Sequence, residues 1–145
     1  MSGVLCANSI QAWAKLVRAE ACVLDAVERE LRAEGFPPPI WYDLLLELKA
    51  APEHHLRPVE LEARLLLKQY HLSRVIDRME AEQLVARRKC PTDARGLHIA
   101  LLPAGGALLK KMWPAYQAAI GRHFAAKLGP GEHQQLSALL DKLLP

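Results

Sequence analysis

Apolar positions recur at helical spacing along most of this chain, and the exceptions cluster in one short region. Ile10, Trp13, Val17, Leu24, Val27 and Leu31 form one stripe, which predicts a long helix to Glu34. Asn8 or Ser9 is placed to cap its start and Gly35 to end it. Ala14, Ala19, Ala21 and Ala26 on the same segment let a neighbour approach closely. Phe36-Pro37-Pro38-Pro39 follows as a stiff connector, because each proline fixes φ and pushes the residue before it into an extended conformation. A second helix starts near Pro39, turns Ile40, Trp41, Leu44, Leu45 and Leu48 inward, and is ended by Pro52. Glu53-His54-His55 then reads as an exposed turn.

Residues 57–102 organise the rest. Pro58 suits a first helical position, and Val59, Leu61 and Leu65 are expected to bury. On the helix after it, Leu72, Val75, Ile76 and Met79 share one face. Tyr70, Ser73, Arg74, Asp77 and Ala81 point the other way, with Arg78 on the flank. Residues 85–88 and 97–101 read as two strands around a basic loop. Helix, turn, helix and basic hairpin make a winged helix-turn-helix, whose usual partner is duplex DNA. Pro103 then opens a helix reaching about Lys127, with Leu108, Leu109, Met112, Tyr116, Ile120, Phe124 and Leu128 on its apolar side. Pro114 inside it predicts a kink of more than about 20°. Gly129-Pro130 breaks the chain, and a last helix over residues 131–144 is expected to bury Leu136, Leu139, Leu140 and Leu143.

Charge sharpens this picture. The net charge of the 145 residues is only +3. Residues 68–95 hold seven basic and four acidic side chains, so this segment carries the whole surplus. A local cationic footprint on a neutral body suits a surface that tracks phosphates; the alternative is a solvated charged face. Arg74 and Arg78 lie four apart, which suits phosphate or guanine contact or, alternatively, surface pairing with Asp77 and Glu82.

Other chemistry is sparse. Cys6, Cys22 and Cys90 form no CxxC pair, which points to reduced thiols and a cytoplasmic setting. The six histidines lack ligand spacing apart from the adjacent His54 and His55, so no metal and no cofactor is expected. No apolar run approaches the roughly 20 residues that span a bilayer, and no signal segment is evident, so no membrane partner is expected. No glycine-rich phosphate loop and no nucleophile–base spacing supports an enzyme.

The terminal helices are too long and too apolar for a small winged core. A homodimer in which these helices intertwine explains them. The fold class is therefore mainly α with a small β-hairpin wing. A single domain over 1–145 holds the winged helix-turn-helix at 36–103, with dimerisation helices at 1–35 and 104–145.

The segments S-R-V-I-D-R-M-E-A-E-Q-L-V, R-R-K-C-P-T-D-A-R and L-P-A-G-G-A-L-L resemble the MarR family of bacterial transcriptional regulators. The resemblance covers nearly the whole chain. Its most specific marks are Asp93 and Arg95 of the wing and the leucine–glycine spacing from Leu102 to Gly106. It implies a dimeric repressor on a palindromic operator, released by a ligand or by oxidation. It makes residues 68–83 the recognition helix, with Gln69, Tyr70, Ser73 and Arg74 nearest the base edges. Lys68, Arg78, Arg88 and Lys89 complete the cationic set. Arg95 is the wing-tip residue for the minor groove, and Asp93 holds that guanidinium or orients a nearby arginine.

Four positions depart from the family pattern. Leu66 replaces a frequent glycine, which suggests a turn helical throughout. Gln83 replaces another; left-handed backbone there costs about 1–2 kcal/mol. Pro103 replaces a capping threonine, and Ala94 replaces a frequent second wing arginine.

Trp13, Trp41, Trp113 and Tyr116 are candidates to line a pocket for a small aromatic or phenolic effector, or are plain core. Cys22 and Cys90 are candidate redox switches or structural thiols; Cys90 is expected to be the more exposed, with cations nearby. A winged-helix module that binds a protein in place of DNA is the remaining alternative.

Overall fold

A computed structural model describes residues 3–90 and 96–145. Its elements run α1 (Ala7–Ala33), α2 (Pro39–Ala50), β1 (His55–Leu56), α3 (Pro58–Leu65), α4 (Gln69–Ala81), β2 (Val85–Lys89), β3 (Leu97–Leu101), α5 (Pro103–His123) and α6 (Pro130–Asp141). Asp93, Ala94 and Arg95 lie outside the described residues.

Two compact units emerge: Phe36–Pro114, and Met1–Gly35 together with Ala115–Pro145. In the first, one core gathers Trp41, Leu44, Leu45 and Leu48 of α2, Leu61 of α3, and Leu72, Val75, Ile76 and Met79 of α4. Val85, Ile99 and Leu109 close it. Each large apolar side chain removed from water there contributes about 1.5–3 kcal/mol. Val59, expected inside, is exposed, because it falls on the side of α3 opposite the fully buried Leu61.

The sheet has three strands in the order β1-β3-β2, all antiparallel, so the expected two-stranded wing gains a short third strand. His55 belongs to that strand and pairs with Ala100, which corrects the reading of residues 53–55 as an exposed turn. Glu53 and His54, both at φ 57°, make the reversal that delivers it.

Helix ends explain the reader's shape. Gly35 at φ 81° ends α1, as its freedom from a Cβ predicts. The turn between α3 and α4 is not helical throughout: Leu66 sits at φ 54°, ψ 37°, and the Leu67 N–H donates to the Glu62 carbonyl at 3.2 Å. Gln83 at φ 59° repeats this after α4, with the Leu84 N–H donating to the Met79 carbonyl at 3.0 Å. Both are left-handed helix stops built without glycine.

The second unit holds α1, α6 and the end of α5. Cys6, not Asn8 or Ser9, caps α1, its Sγ accepting from the Ser9 N–H at 3.4 Å. α5 runs helical through Pro114 and stops at His123, short of Lys127, where a 3-10 turn over Ala125–Lys127 replaces its last turn. Glu30 on α1 accepts from Arg122 Nε at 2.6 Å. Its other oxygen lies 3.2 Å from His123 Nε2 without hydrogen-bond geometry. Val27 and Leu31 are buried, but Ile10, Trp13, Val17 and Leu24 are exposed. Of the last helix's leucines expected inside, Leu136 and Leu140 are half-buried and none is fully buried; Leu139 and, beyond the helix, Leu143 are exposed, with no cover among the described residues.

Candidate nucleic-acid interface

The reader's outer surface follows from the period of α4. Leu72, Val75, Ile76 and Met79 anchor one face in the core, so Gln69, Tyr70, Ser73, Arg74, Asp77 and Arg78 are left on the surface. Lys68 stands just before the helix in an extended conformation. Among the described residues no side chain caps the start of α4, so its leading backbone N–H groups remain available to an anion.

Tyr70 is 72% exposed. It accepts no burial in exchange for that exposure; instead it braces Arg74, whose Nη1 donates to Tyr70 Oη at 2.8 Å and whose guanidinium carbon lies 5.3 Å from the ring centroid. Among the described residues, Arg78 has no carboxylate at ion-pair distance. The alternative of pairing Arg74 and Arg78 with Asp77 and Glu82 is thus not what the fold forms. Asp77 pairs with Arg87 of β2, at 2.6 Å.

Arg87 also holds Glu80, through its backbone N–H and through Nη1, each at 2.9 Å. These bonds keep the Glu80 carboxyl below the usual range, the Arg87 backbone N–H being the largest cause. By sequence Arg87 belongs to the cationic segment, yet the fold neutralises it internally. Its signal lies in the alternation of β2: Arg87 stands two residues from buried Val85, on the inward side of the strand.

Arg88 and Lys89 end β2, exposed and paired across the ladder with His98 and Leu97. His98 stacks on His55, ring centroids 4.3 Å apart. Gln69, Tyr70, Ser73, Arg74 and Arg78 are therefore brought together on α4, with Lys68 just before it, and Arg88 and Lys89 follow on the strand tied to it. Asp93 and Arg95 belong to the segment outside the description.

The four aromatic pocket candidates are not pooled. Trp41 is in the winged core, and Trp113 stacks on Tyr42 at 5.6 Å. Trp13 is 69% exposed on α1. Only Tyr116 lines the large groove of the terminal-helix unit, of about 680 Å³, with Leu16 and Val23 of α1, Ile120 of α5, Phe124 just after it and Leu136 of α6. Cys90, expected to be exposed, is only 6% exposed, and its N–H donates to the Gly96 carbonyl at 2.8 Å. Cys22 is exposed. Cys6 is held below the usual thiol range, first by its hydrogen bond with the Ser9 side chain. Among the described residues no group of three His, Cys, Asp or Glu side chains could hold a metal, and no helix is long and apolar enough to cross a membrane.

Helix-turn-helix, a polar and cationic outer helix face, and an adjoining three-stranded wing define a winged-helix DNA-binding protein. The model of the MarR family matches residues 34–96. YkoM of Bacillus subtilis, an uncharacterized HTH-type transcriptional regulator, is 30% identical over 125 residues, covering 86% of this chain and 79% of that protein. The transcriptional repressor MprA of Escherichia coli is 26% identical over 122 residues, 84% of this chain and 68% of that one. Sco3205 of Streptomyces coelicolor, a MarR family transcriptional regulator solved in complex with DNA, superposes with a TM-score of 0.89 at 25% identity, over 99% of this chain and 89% of that chain. The chain belongs to the MarR family: it is a DNA-binding transcriptional regulator, not an enzyme.

Proposed function

We propose that this regulator acts as a homodimeric repressor on a palindromic operator and is released from it by a small-molecule ligand. The observation that carries the dimer is the uncovered apolar face of the terminal helices. Ile10, Trp13 and Val17 of α1 and Leu139 of α6 are exposed, as are Leu143 and Leu144 beyond it. So many exposed large apolar side chains on the terminal helices favour an interface. A second copy covers it, making residues 1–35 and 104–145 the dimerisation helices, and its two-fold axis presents two copies of α4 to half-sites roughly 10 base pairs apart.

On DNA, Gln69, Tyr70, Ser73 and Arg74 face base edges, while Lys68, Arg78, Arg88 and Lys89 take phosphates. Asp93 and Arg95 keep the wing roles that the family resemblance implies. The similarity to MprA, named as a repressor, favours repression. Release works by population shift: an effector that prefers a dimer with the wrong separation of recognition helices draws it off the operator.

The test combines assembly and binding. Sedimentation equilibrium is expected to give a dimer. Affinity for a duplex selected by the protein from a random-sequence pool should fall steeply with salt, as several neutralised phosphates require. A stable monomer that binds one half-site as tightly as two removes the reading.

A further inference from the structure

The start of β2 is fixed to α4 by the chain itself: the Leu84 N–H reaches the Met79 carbonyl and Val85 is fully buried. That anchor sets where the strand begins and the ladder to β3 sets its run within the sheet, but neither ties the body of the strand to α4. A second anchor lies two residues on. Arg87 donates its backbone N–H to Glu80 Oε2 and its Nη1 to Glu80 Oε1, each at 2.9 Å. Its Nη2 lies 2.6 Å from Asp77 Oδ1 and donates to the Ser73 carbonyl at 3.5 Å. Ser73, Asp77 and Glu80 are spaced by four and three, so one guanidinium lies along neighbouring turns of a single helix face. The side chain is only 26% exposed, and Arg88 and Lys89 follow it directly.

We propose that Arg87 is a positioning residue for DNA reading: without touching DNA, it locks the direction of β2 against the recognition helix and so places Arg88 and Lys89 beside it. This rests on the reading of α4 as the DNA-facing helix. A planar fork is needed, because two carboxylates and a carbonyl must be met at once from one side chain; a lysine ammonium offers the charge without the span. The same contacts cancel the charge of Asp77, which would otherwise stand beside Arg74 on the surface that meets phosphates.

The test is equilibrium binding by full-length variants to a duplex selected by the unaltered protein from a random-sequence pool. Urea unfolding of each variant establishes that it is folded under assay conditions. Arg87→Lys keeps the net charge and is expected to weaken binding roughly tenfold. Glu80→Ala removes a negative charge from the DNA-facing helix and is nevertheless expected to weaken binding. Arg88→Gln should cost less affinity in the Arg87→Lys background than in the unaltered protein, a coupling that general loosening of the fold would not produce.

If Arg87→Lys binds as the unaltered protein does, or Glu80→Ala binds more tightly, Arg87 acts as a cation toward DNA and the proposal fails. Equal costs of Arg88→Gln in both backgrounds also overturn it. Arg74→Ala serves as the separate check on the interface: unchanged affinity there removes α4 from the DNA surface, whatever the Arg87 variants do.

Discussion

Arg74 donates to the Tyr70 hydroxyl at 2.8 Å and lies over the same ring, 5.3 Å from its centroid. The two side chains are one turn apart on the exposed face of α4, so the tyrosine preorganises an arginine that would otherwise be a flexible cation. A pairing at an exposed site adds little stability, below about 1 kcal/mol, so its value lies in orientation. Arg74→Ala is expected to weaken DNA binding by about 1–3 kcal/mol if the arginine meets a guanine edge. Tyr70→Phe keeps the ring and loses the hydroxyl, and should reduce discrimination between sequences more than affinity for random DNA. Competition binding with selected and random duplexes separates the two effects; identical losses on both duplexes would show that the pair does not read sequence.

Gly105, in the first turn of α5, is packed where no Cβ fits. A methyl group there would strike the Leu84 carbonyl oxygen and crowd Leu101 and Leu45. The Leu84 oxygen cannot move freely, since it accepts the Leu102 N–H at 3.0 Å. Gly105→Ala should therefore destabilise the winged unit by about 1–3 kcal/mol, whereas Gly106→Ala, with open space around it, should not. Urea midpoints of the two variants give the comparison.

Gln83 and Leu66 hold left-handed backbone at φ 59° and φ 54°. Glycine adopts that conformation without the Cβ penalty, though it also gains freedom in the unfolded chain. Gln83→Gly is expected to raise stability by up to about 1 kcal/mol, and Ala in the same place should bring no such gain. A lower thermal midpoint for Gln83→Gly would contradict the strain argument.

Asp43 and Glu80 should make opposite contributions to pH-dependent stability. Glu80 is held low by the Arg87 backbone N–H and guanidinium. Its contribution is complete above the ordinary glutamate range and disappears as pH falls through its depressed folded value. Asp43 is pushed up, first by burial and then by Glu47. Its charged form is disfavoured in the fold, so its contribution becomes more favourable as pH falls through the raised value. Asp43→Asn is expected to stabilise the protein at neutral pH, with the gain shrinking toward acid; Glu80→Gln should destabilise it at neutral pH, with the loss shrinking toward acid. Urea midpoints across pH report both slopes.

Leu139→Glu with Leu143→Glu should leave the winged unit folded while abolishing the proposed dimer. Both positions are exposed in one chain, so a charge there costs an isolated subunit little. Sedimentation should move to the monomer and binding to a two-half-site duplex should fall to that of one half-site. A dimer that survives both charges would place the interface elsewhere.

Much of the architecture was legible in residue spacing. The period of Leu72, Val75, Ile76 and Met79 marked both the buried face of α4 and, by subtraction, the surface carrying Tyr70, Arg74 and Arg78. The second wing strand, expected over residues 97–101, spans Leu97–Leu101. Spacing failed where geometry depends on a partner. Arg87 looks like its cationic neighbours until the strand turns it onto Glu80 and Asp77. His55 becomes a strand residue only because Ala100 offers it a ladder. The four aromatic residues proposed for one pocket share a chemistry but not a location.

Periodicity and charge placement by themselves determined that a helix-turn-helix with a cationic outer face would form, because those depend on local backbone geometry and on which side chains avoid water. Only the tertiary structure decided which arginines remain available on that face, where left-handed residues stop the helices without glycine, and which apolar stripes stay uncovered within one chain. Ion pairing and burial are contacts between residues far apart in sequence, so a pattern read along the chain names the groups and leaves their partners to the fold.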